Sequence, residues 1–437
     1  MIGRLLLFGF FTLLIGGLAH AQLGIWALAA FPRLRRHKRG LRAALVVLTL
    51  MGPLARLMVS KLHGEWVTIV FVGVMTEYLC VIFAALPIAL LRIVTDLVSR
   101  AHARITRKRA SVADPRAKDP PTADPVPASV KQDAKDTPDP PTPPSPSAPS
   151  KQDVKDDPPR LGRRQVVEAI GGSAFLAVSG GALGWGAARG RHAFVVEEVA
   201  VRVPNLPKAL DGYVIGQISD VHVGASVGER ELAEGLSRLA EVKADLVVCT
   251  GDLVDFDPAY VPQMARALAS IRARDGVHAI LGNHDYYTGA LAVIEALRGV
   301  GVTTLVNDGR VIRAGDGGGF ALLGVDDLWA HRYGGAQPSL EQALAAVPRD
   351  LPRVLLSHQP STLDLWEGKV ALQLSGHTHG GQINPGFRPA DAIMRYVAGR
   401  YEAQGTTLWV NRGFGVAGPP ARLGAPPEVT KIVLVAA

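Results

Sequence analysis

Cysteine is nearly absent. Two occur in 437 residues, Cys80 and Cys249, and each falls inside an apolar run. Thiols so placed build no disulfide framework, and bacterial envelope proteins commonly lack one, so the count leaves the compartment open. The first apolar stretch has no basic region ahead of it, and it is long. Both features favour a retained helix over a cleavable signal peptide. A net charge of +8 raises the question of nucleic acid. The densest basic runs flank apolar segments, however, so topology and anionic lipid account for them and no nucleic-acid partner is expected.

Long apolar runs are present. Leu5 to about Ala30 is interrupted mainly by His20 and Gln22, Ala43 to about Val59 by Arg56, and Trp66 to Leu91 is the longest. Each is near or above the ~20 residues that cross a ~30 Å hydrocarbon core. A fourth, Val166 to Ala188, is weaker and rich in Gly and Ala, which suits close helix packing. Residues 1–100 are therefore expected to hold three transmembrane helices, and 163–190 a fourth helix or anchor. Six Lys or Arg and no acid lie between Arg33 and Arg42, and further basic clusters follow the third run and precede the fourth. All of them are cytoplasmic only if the N-terminus is outside, which puts everything after the fourth run on the extracytoplasmic side of a bacterial inner membrane. Arg189 and Arg191 count mildly against this. Arg163-Arg164 also resembles an internal twin-arginine signal. For Arg56, snorkelling to the interface is expected; pairing with Glu77 is the functional alternative.

Residues 101–162 read as a basic and then proline-rich disordered linker. Fourteen of the 31 prolines lie between Pro115 and Pro159. So few apolar groups cannot offset chain entropy, and the segment is expected to act as a semi-extended spacer.

The last part, residues 191–437, carries the chemistry. Asp220 and His222 (SDVHVG), Asp252 (TGDLVD), Asn283 (LGNHD), His358 (LSHQP), and His377 and His379 (SGHTHGG) each follow a short run of β character. Nearly continuous apolar runs of this length read as strands buried on both faces. Ligands at their C-terminal ends would gather on one rim of an α/β sheet. Oxygen and imidazole donors without sulfur suit Mn, Fe or Zn. Seven side chains exceed one four-coordinate site and suit two ions sharing a carboxylate. His278, inside an apolar strand, is expected to be structural. Asp326-Asp327 is expected to be a solvated turn rather than part of the cleft.

These blocks, in the order D-x-H, GD-x-x-D, GNH-D, a lone His and GH-x-H, resemble the calcineurin-like metallophosphoesterases. The resemblance covers roughly residues 195 to 437. The wording of SHQP, SGHTHGGQ and RLGAPPE is most similar to a bacterial membrane-associated branch, the YkuE/YaeI-type phosphodiesterases. The resemblance implies an α/β fold, a two-sheet β-sandwich flanked by helices, here preceded by an α-helical transmembrane region. It also implies that Asp220, His222 and His379 hold one metal, that Asn283, His358 and His377 hold the other, and that Asp252 bridges them. His284 would protonate the leaving oxygen and Asp255 would fix its tautomer; Asp285 has no assigned role. The chain departs from the Ser/Thr phosphatase pattern in one place. Phe256 and Asp257 stand where those enzymes have Arg-Gly, which argues against a phosphoprotein substrate. Arg412 in NRGFG is the candidate substitute for substrate binding. The expected function is a membrane-anchored, two-metal phosphoesterase acting on a lipid-linked or envelope phosphodiester or phosphomonoester. The alternatives are a nucleotide or sugar-nucleotide pyrophosphatase, or a non-catalytic membrane sensor or scaffold.

Overall fold

The computed structural model describes residues 2–59, 61–62, 65–113, 161–313 and 318–437. Four helices come first: α1 (Ile2–Ala30), α2 (Lys38–Val59), α3 (Glu65–Ala113) and α4 (Arg163–Ala188). All four are long and apolar enough to cross a membrane. Leu18, Ile69, Leu86 and Val178 point outward and exposed, as side chains facing lipid do. The third helix runs past the expected boundary at residue 101 to Ala113. No Gly or Pro interrupts the chain between Pro87 and Pro115, and Arg, Lys and Ala are good helix formers. Residues 114–160 of the expected linker lie outside the described residues.

The two ends of the helix bundle differ. At one, Trp26, Ala30, Ile88 and Ala169 pack together, and the Trp26 indole donates to the Glu168 carbonyl at 2.8 Å. Arg164 pairs there with Glu168 at 2.7 Å and with Asp96 at 2.8 Å, so it ties α4 to α3. The basic segment 33–42 joins α1 to α2 at this end. At the other, Ala55, Val59, Val67, Phe71 and Val74 pack against Ala225 of the following domain. Arg191 bonds the Ser226 carbonyl at 2.8 Å and pairs with Glu231 at 2.5 Å, which gives a basic residue beyond α4 a structural use. Glu77 pairs with His20 at 3.0 Å, not with Arg56.

The second domain holds β1 (Val195–Val203), β2 (Tyr213–Ile218), α5 (Glu229–Val242), β3 (Leu246–Thr250), α6 (Val261–Ala269), β4 (Val277–Ile280), α7 (Asn283–Thr288), α8 (Ala290–Gly299) and β5 (Thr303–Thr304). It continues with β6 (Asp308–Arg313), β7 (Gly319–Gly324), α9 (Leu340–Ala345), β8 (Arg353–Leu356), α10 (Leu363–Trp366), β9 (Leu372–Ser375), β10 (Gly399–Ala403), β11 (Thr406–Val410) and β12 (Glu428–Ala436). One sheet has the order β1-β12-β2-β3-β4-β5 and the other β10-β11-β9-β8-β7-β6. Strands β2 to β5 are parallel, as are β11, β9, β8 and β7; β12 is antiparallel to β2, and β10 and β6 form antiparallel edges.

Alternation within each strand feeds two cores. Ile215, Leu246, Val248, Phe320, Leu322, Val354, Leu356 and Ile432 fill the space between the sheets. Their neighbours Val247 and Cys249 pack outward with Leu239, Met264 and Leu297 from α5, α6 and α8. Leu323 and Leu355 do the same with Leu340 and Trp366 from α9 and α10. Burial on both faces is why these strands read as unbroken apolar runs. The protein is thus an α/β two-sheet sandwich flanked by helices.

Candidate metal centre

The loops leaving β2, β3, β4, β8 and β9 meet at one rim. Asp220, Asp252, His358 and His377 each come two residues after a strand ends, and Asn283 opens α7. Five of the seven expected ligands hold left-handed backbone: Asp220 (φ 50°), His222 (49°), Asp252 (53°), His377 (73°) and His379 (51°). Side chains with a Cβ rarely adopt this conformation, and such residues cluster at functional sites. Space is equally tight. A Cβ on Gly376 would lie 2.2 Å from Asp220 Oδ2, and one on Gly282 would lie 2.2 Å from Asp252 Oδ1.

The donor atoms form two groups that share no residue. Asp220, His222 and His379 converge in one, and Asp252, His358 and His377 in the other. A third, overlapping group joins His222 and Asp252 to His284. In the first, His222 Nε2 and His379 Nε2 face each other at 3.0 Å, with Asp220 Oδ1 3.4 Å from the latter. In the second, His358 Nε2 lies 3.2 Å from both Asp252 Oδ2 and His377 Nδ1. The Asp252 oxygen also lies 3.6 Å from His222 Nε2, so it faces both groups. Asn283 Oδ1 is buried with no hydrogen-bond donor, a cost that a cation would remove. Converging lone pairs and an orphaned buried carbonyl fit two divalent ions of the oxygen- and nitrogen-loving kind.

Neighbouring groups fix these side chains. The Thr250 carbonyl accepts from His358 Nδ1 at 2.8 Å, so Nε2 is turned to the centre. The His377 backbone N–H donates to both oxygens of Asp220 at 2.9 Å, and the His284 N–H donates to Asp252 Oδ1 at 2.8 Å. Asp285 is fully buried and accepts from the N–H groups of Leu253, Val254 and Gly282 at 2.9, 3.1 and 2.9 Å. It therefore staples the Asp252 loop to the start of α7. Burial and the Asp252 charge push its carboxyl up to about 6. His377 is pushed down to about 3 by burial and by the charge of His358, which leaves a neutral ring able to ligate.

His284 Nδ1 and Asp255 Oδ1 are 2.9 Å apart. Burial disfavours the imidazolium of His284, but Asp252 and Asp255 outweigh it and raise its pKa. Burial likewise disfavours the Asp255 carboxylate, and the rings of His222 and His284 hold it well below the usual range all the same. Arg412 is committed to carboxylates: its guanidinium bonds Glu197 and lies 2.8 Å from Glu428.

Several site residues escaped the sequence reading. Arg422, 1% exposed, reaches His379 Nδ1 at 3.2 Å and the carbonyls of Gly413 at 3.1 Å and Arg412 at 2.6 Å. Burial pulls its pKa down to about 9. Its only sequence signal was the RLGAPPE block. Phe256 lies 4.4 Å from His284, ring to ring, and stacks on Tyr287 at 5.5 Å; Trp329 meets His377 edge-on at 5.5 Å. Asp326 and Asp327 are not a solvated turn. They are 2% and 1% exposed, held by the Tyr286 hydroxyl at 2.5 Å and the Gln359 amide at 3.0 Å.

Comparison with known proteins places this geometry. A family profile for calcineurin-like phosphoesterases matches residues 213–381. A zebrafish (Danio rerio) transmembrane protein with metallophosphoesterase domain is 33% identical over 62% of this chain and 63% of its own length. The uncharacterized metallophosphoesterase YkuE of Bacillus subtilis is 31% identical over 63% of this chain and 98% of its own. A solved NAD nucleotidase of Haemophilus influenzae overlaps 46% of this chain and 45% of its own at 14% identity, with a TM-score of 0.34. The chain spans less than two thirds of the length of the vertebrate relatives it matches, 63% for zebrafish and 57% for cattle. It covers nearly all of YkuE, and the profile falls on the strands and loops that bring the seven side chains together; the chain belongs to the calcineurin-like phosphoesterase family.

Proposed function

We propose that this chain is a membrane-anchored, dinuclear metal-dependent phosphoesterase. Its substrate is a phosphodiester or phosphomonoester of a lipid-linked or envelope compound. One observation carries the reading: two separate donor groups, Asp220/His222/His379 and Asp252/His358/His377, lie in a domain packed on the end of four membrane-length helices. The end carrying the basic segment is the opposite one, which supports a bacterial inner-membrane topology with the domain outside.

Asp220, His222 and His379 would hold one ion, Asn283, His358 and His377 the other, with Asp252 between them. Bound ions of this kind lower the pKa of water and neutralise phosphate charge. The rest falls to side chains. Asp255 holds His284 by Nδ1, and the charges of Asp252 and Asp255 favour a proton on the ring. Nε2 is then the atom that delivers it to the departing oxygen. Arg422 and Asp285 hold the ligand loops still.

The test is His284→Ala in the full chain. Metal content should stay at the parent level. Turnover should fall by roughly 10²–10⁴-fold for an alkyl phosphodiester and by much less for bis-p-nitrophenyl phosphate, whose leaving group needs little protonation. Equal losses on both substrates would refute the assignment of His284. A parent that binds metal yet hydrolyses neither ester would leave the sensor reading. Turnover of sugar nucleotides alone would leave the pyrophosphatase reading.

A further inference from the structure

Between the His379 loop and β10 the chain makes an excursion whose exposed large side chains are apolar. Phe387 is 68% and Ile393 82% exposed, and Met394 beside it is exposed as well. Gly386 turns the tip with left-handed backbone (φ 85°), and a Cβ there would meet nothing within 4 Å. The two arginines of the excursion are paired within the protein, Arg388 with Asp391 at 2.7 Å and Arg395 with Asp364 at 2.9 Å. What the excursion offers a partner is therefore its apolar groups.

The base of the excursion is fixed on two sides. Toward the site, the Asn384 amide donates to the Gly380 carbonyl at 3.0 Å, and a Cβ on Gly381 would lie 3.2 Å from Arg388 Cγ. Toward the membrane region, the Asn384 N–H donates to the Leu423 carbonyl at 2.7 Å, and the adjacent Arg422 N–H donates to the Gly186 carbonyl in the last turn of α4 at 3.1 Å. Trp185, one residue earlier on that helix, is exposed, and tryptophan concentrates at the depth of lipid head groups. Phe387 is thus a short loop away from the end of a membrane-length helix. Clustered exposed apolar groups mark a surface that meets a protein or a membrane, and continuity with the end of α4 favours the membrane. We propose that residues 385–394 rest in the head-group layer of the bilayer that α4 crosses, with Phe387, Ile393 and Met394 reaching toward the acyl chains. The excursion is then a second attachment, and it holds the loop of His377 and His379 against the surface where head-group esters lie. This rests on the membrane-anchored part of the function proposed above and is independent of turnover.

The test reads depth. The full chain, carrying Cys80→Ala and Cys249→Ala, is reconstituted in phosphatidylcholine vesicles with one nitroxide at a time, on Phe387→Cys, Ile393→Cys or Leu86→Cys. Leu86, exposed on α3, reports whether the helices are inserted. Dissolved oxygen concentrates in the acyl layer and a neutral nickel chelate in water, so their relative relaxation of the label gives its depth. Circular dichroism matching the parent shows each labelled chain to be folded. All three labels should be relaxed more by oxygen than by nickel, the Leu86 label most. A Leu86 label in lipid with the other two in water would overturn the docking of the excursion and leave the anchor standing. Labels at 387 and 393 shielded from both reagents would mean that a second copy of the chain covers the patch, and would overturn the proposal as well. All three labels in water would overturn the anchor and the docking together.

Discussion

His278 lies on β4, packed among apolar neighbours, with Nε2 3.3 Å from the Asp275 carbonyl. It is a structural histidine, as its setting in an apolar run suggested. Burial lowers its pKa below 6.5. The unfolded chain therefore binds a proton at higher pH than the folded chain does. The stability this implies is complete above about 6.5 and is lost as pH falls through that value. His278→Gln should flatten the fall in Tm as pH drops below about 6.5; an identical slope in parent and variant would show that folding leaves the His278 pKa unchanged. The seven donor side chains that gather at the rim were readable because each sits just past an apolar run, often beside a glycine. Arg422, Phe256, Tyr287 and Trp329 were not, because a single buried arginine or an aromatic wall has neither period nor spacing. Asp326-Asp327 misled for a related reason: paired acids are usually solvated, and only the Tyr286 and Gln359 contacts reveal why these are buried.

At the scale of elements, the strands were the most readable part. Their two-sided burial leaves continuous Val, Leu and Ile, whereas the sheet order and the antiparallel β12 rest on long-range pairing that no local pattern states. Helix ends were less readable. The membrane region was expected to end at residue 100, but charged residues with high helix propensity carry the third helix on to Ala113. Gly282 and Gly376, just before Asn283 and His377, act through space. A Cβ at Gly376 would sit 1.9 Å from Ser219 Oγ, and its backbone is not left-handed. Gly376→Ala should therefore keep its secondary structure by circular dichroism and lose metal, the Asp220 group first. Gly299→Ala, at the end of α8 with nothing within 4 Å, should keep its full metal content. Full metal content in Gly376→Ala would mean that the loop can retreat and that the close packing is dispensable.

For the whole molecule, the membrane region and the catalytic domain are joined by packing as well as by chain. Residues from α2 and α3 meet Ala225, and the Gly186 carbonyl of α4 accepts from Arg422 at 3.1 Å. The basic segment 33–42 is at the far end. Alkaline phosphatase fused after Ala437 should therefore be active, since that enzyme works only once exported. A silent fusion, with a bright cytoplasmic GFP fusion at the same point, would put the domain inside and move the search to the cytoplasmic leaflet. Sidedness can fail without touching the chemistry, which depends on one rim holding two ions. The direct test of that is metal content. The purified full chain, saturated with Mn, Zn or Fe and analysed by inductively coupled plasma mass spectrometry, should hold close to two ions. Asp252→Asn, which weakens the carboxylate facing both donor groups, should hold markedly fewer. One ion or none in the parent would contradict the dinuclear centre.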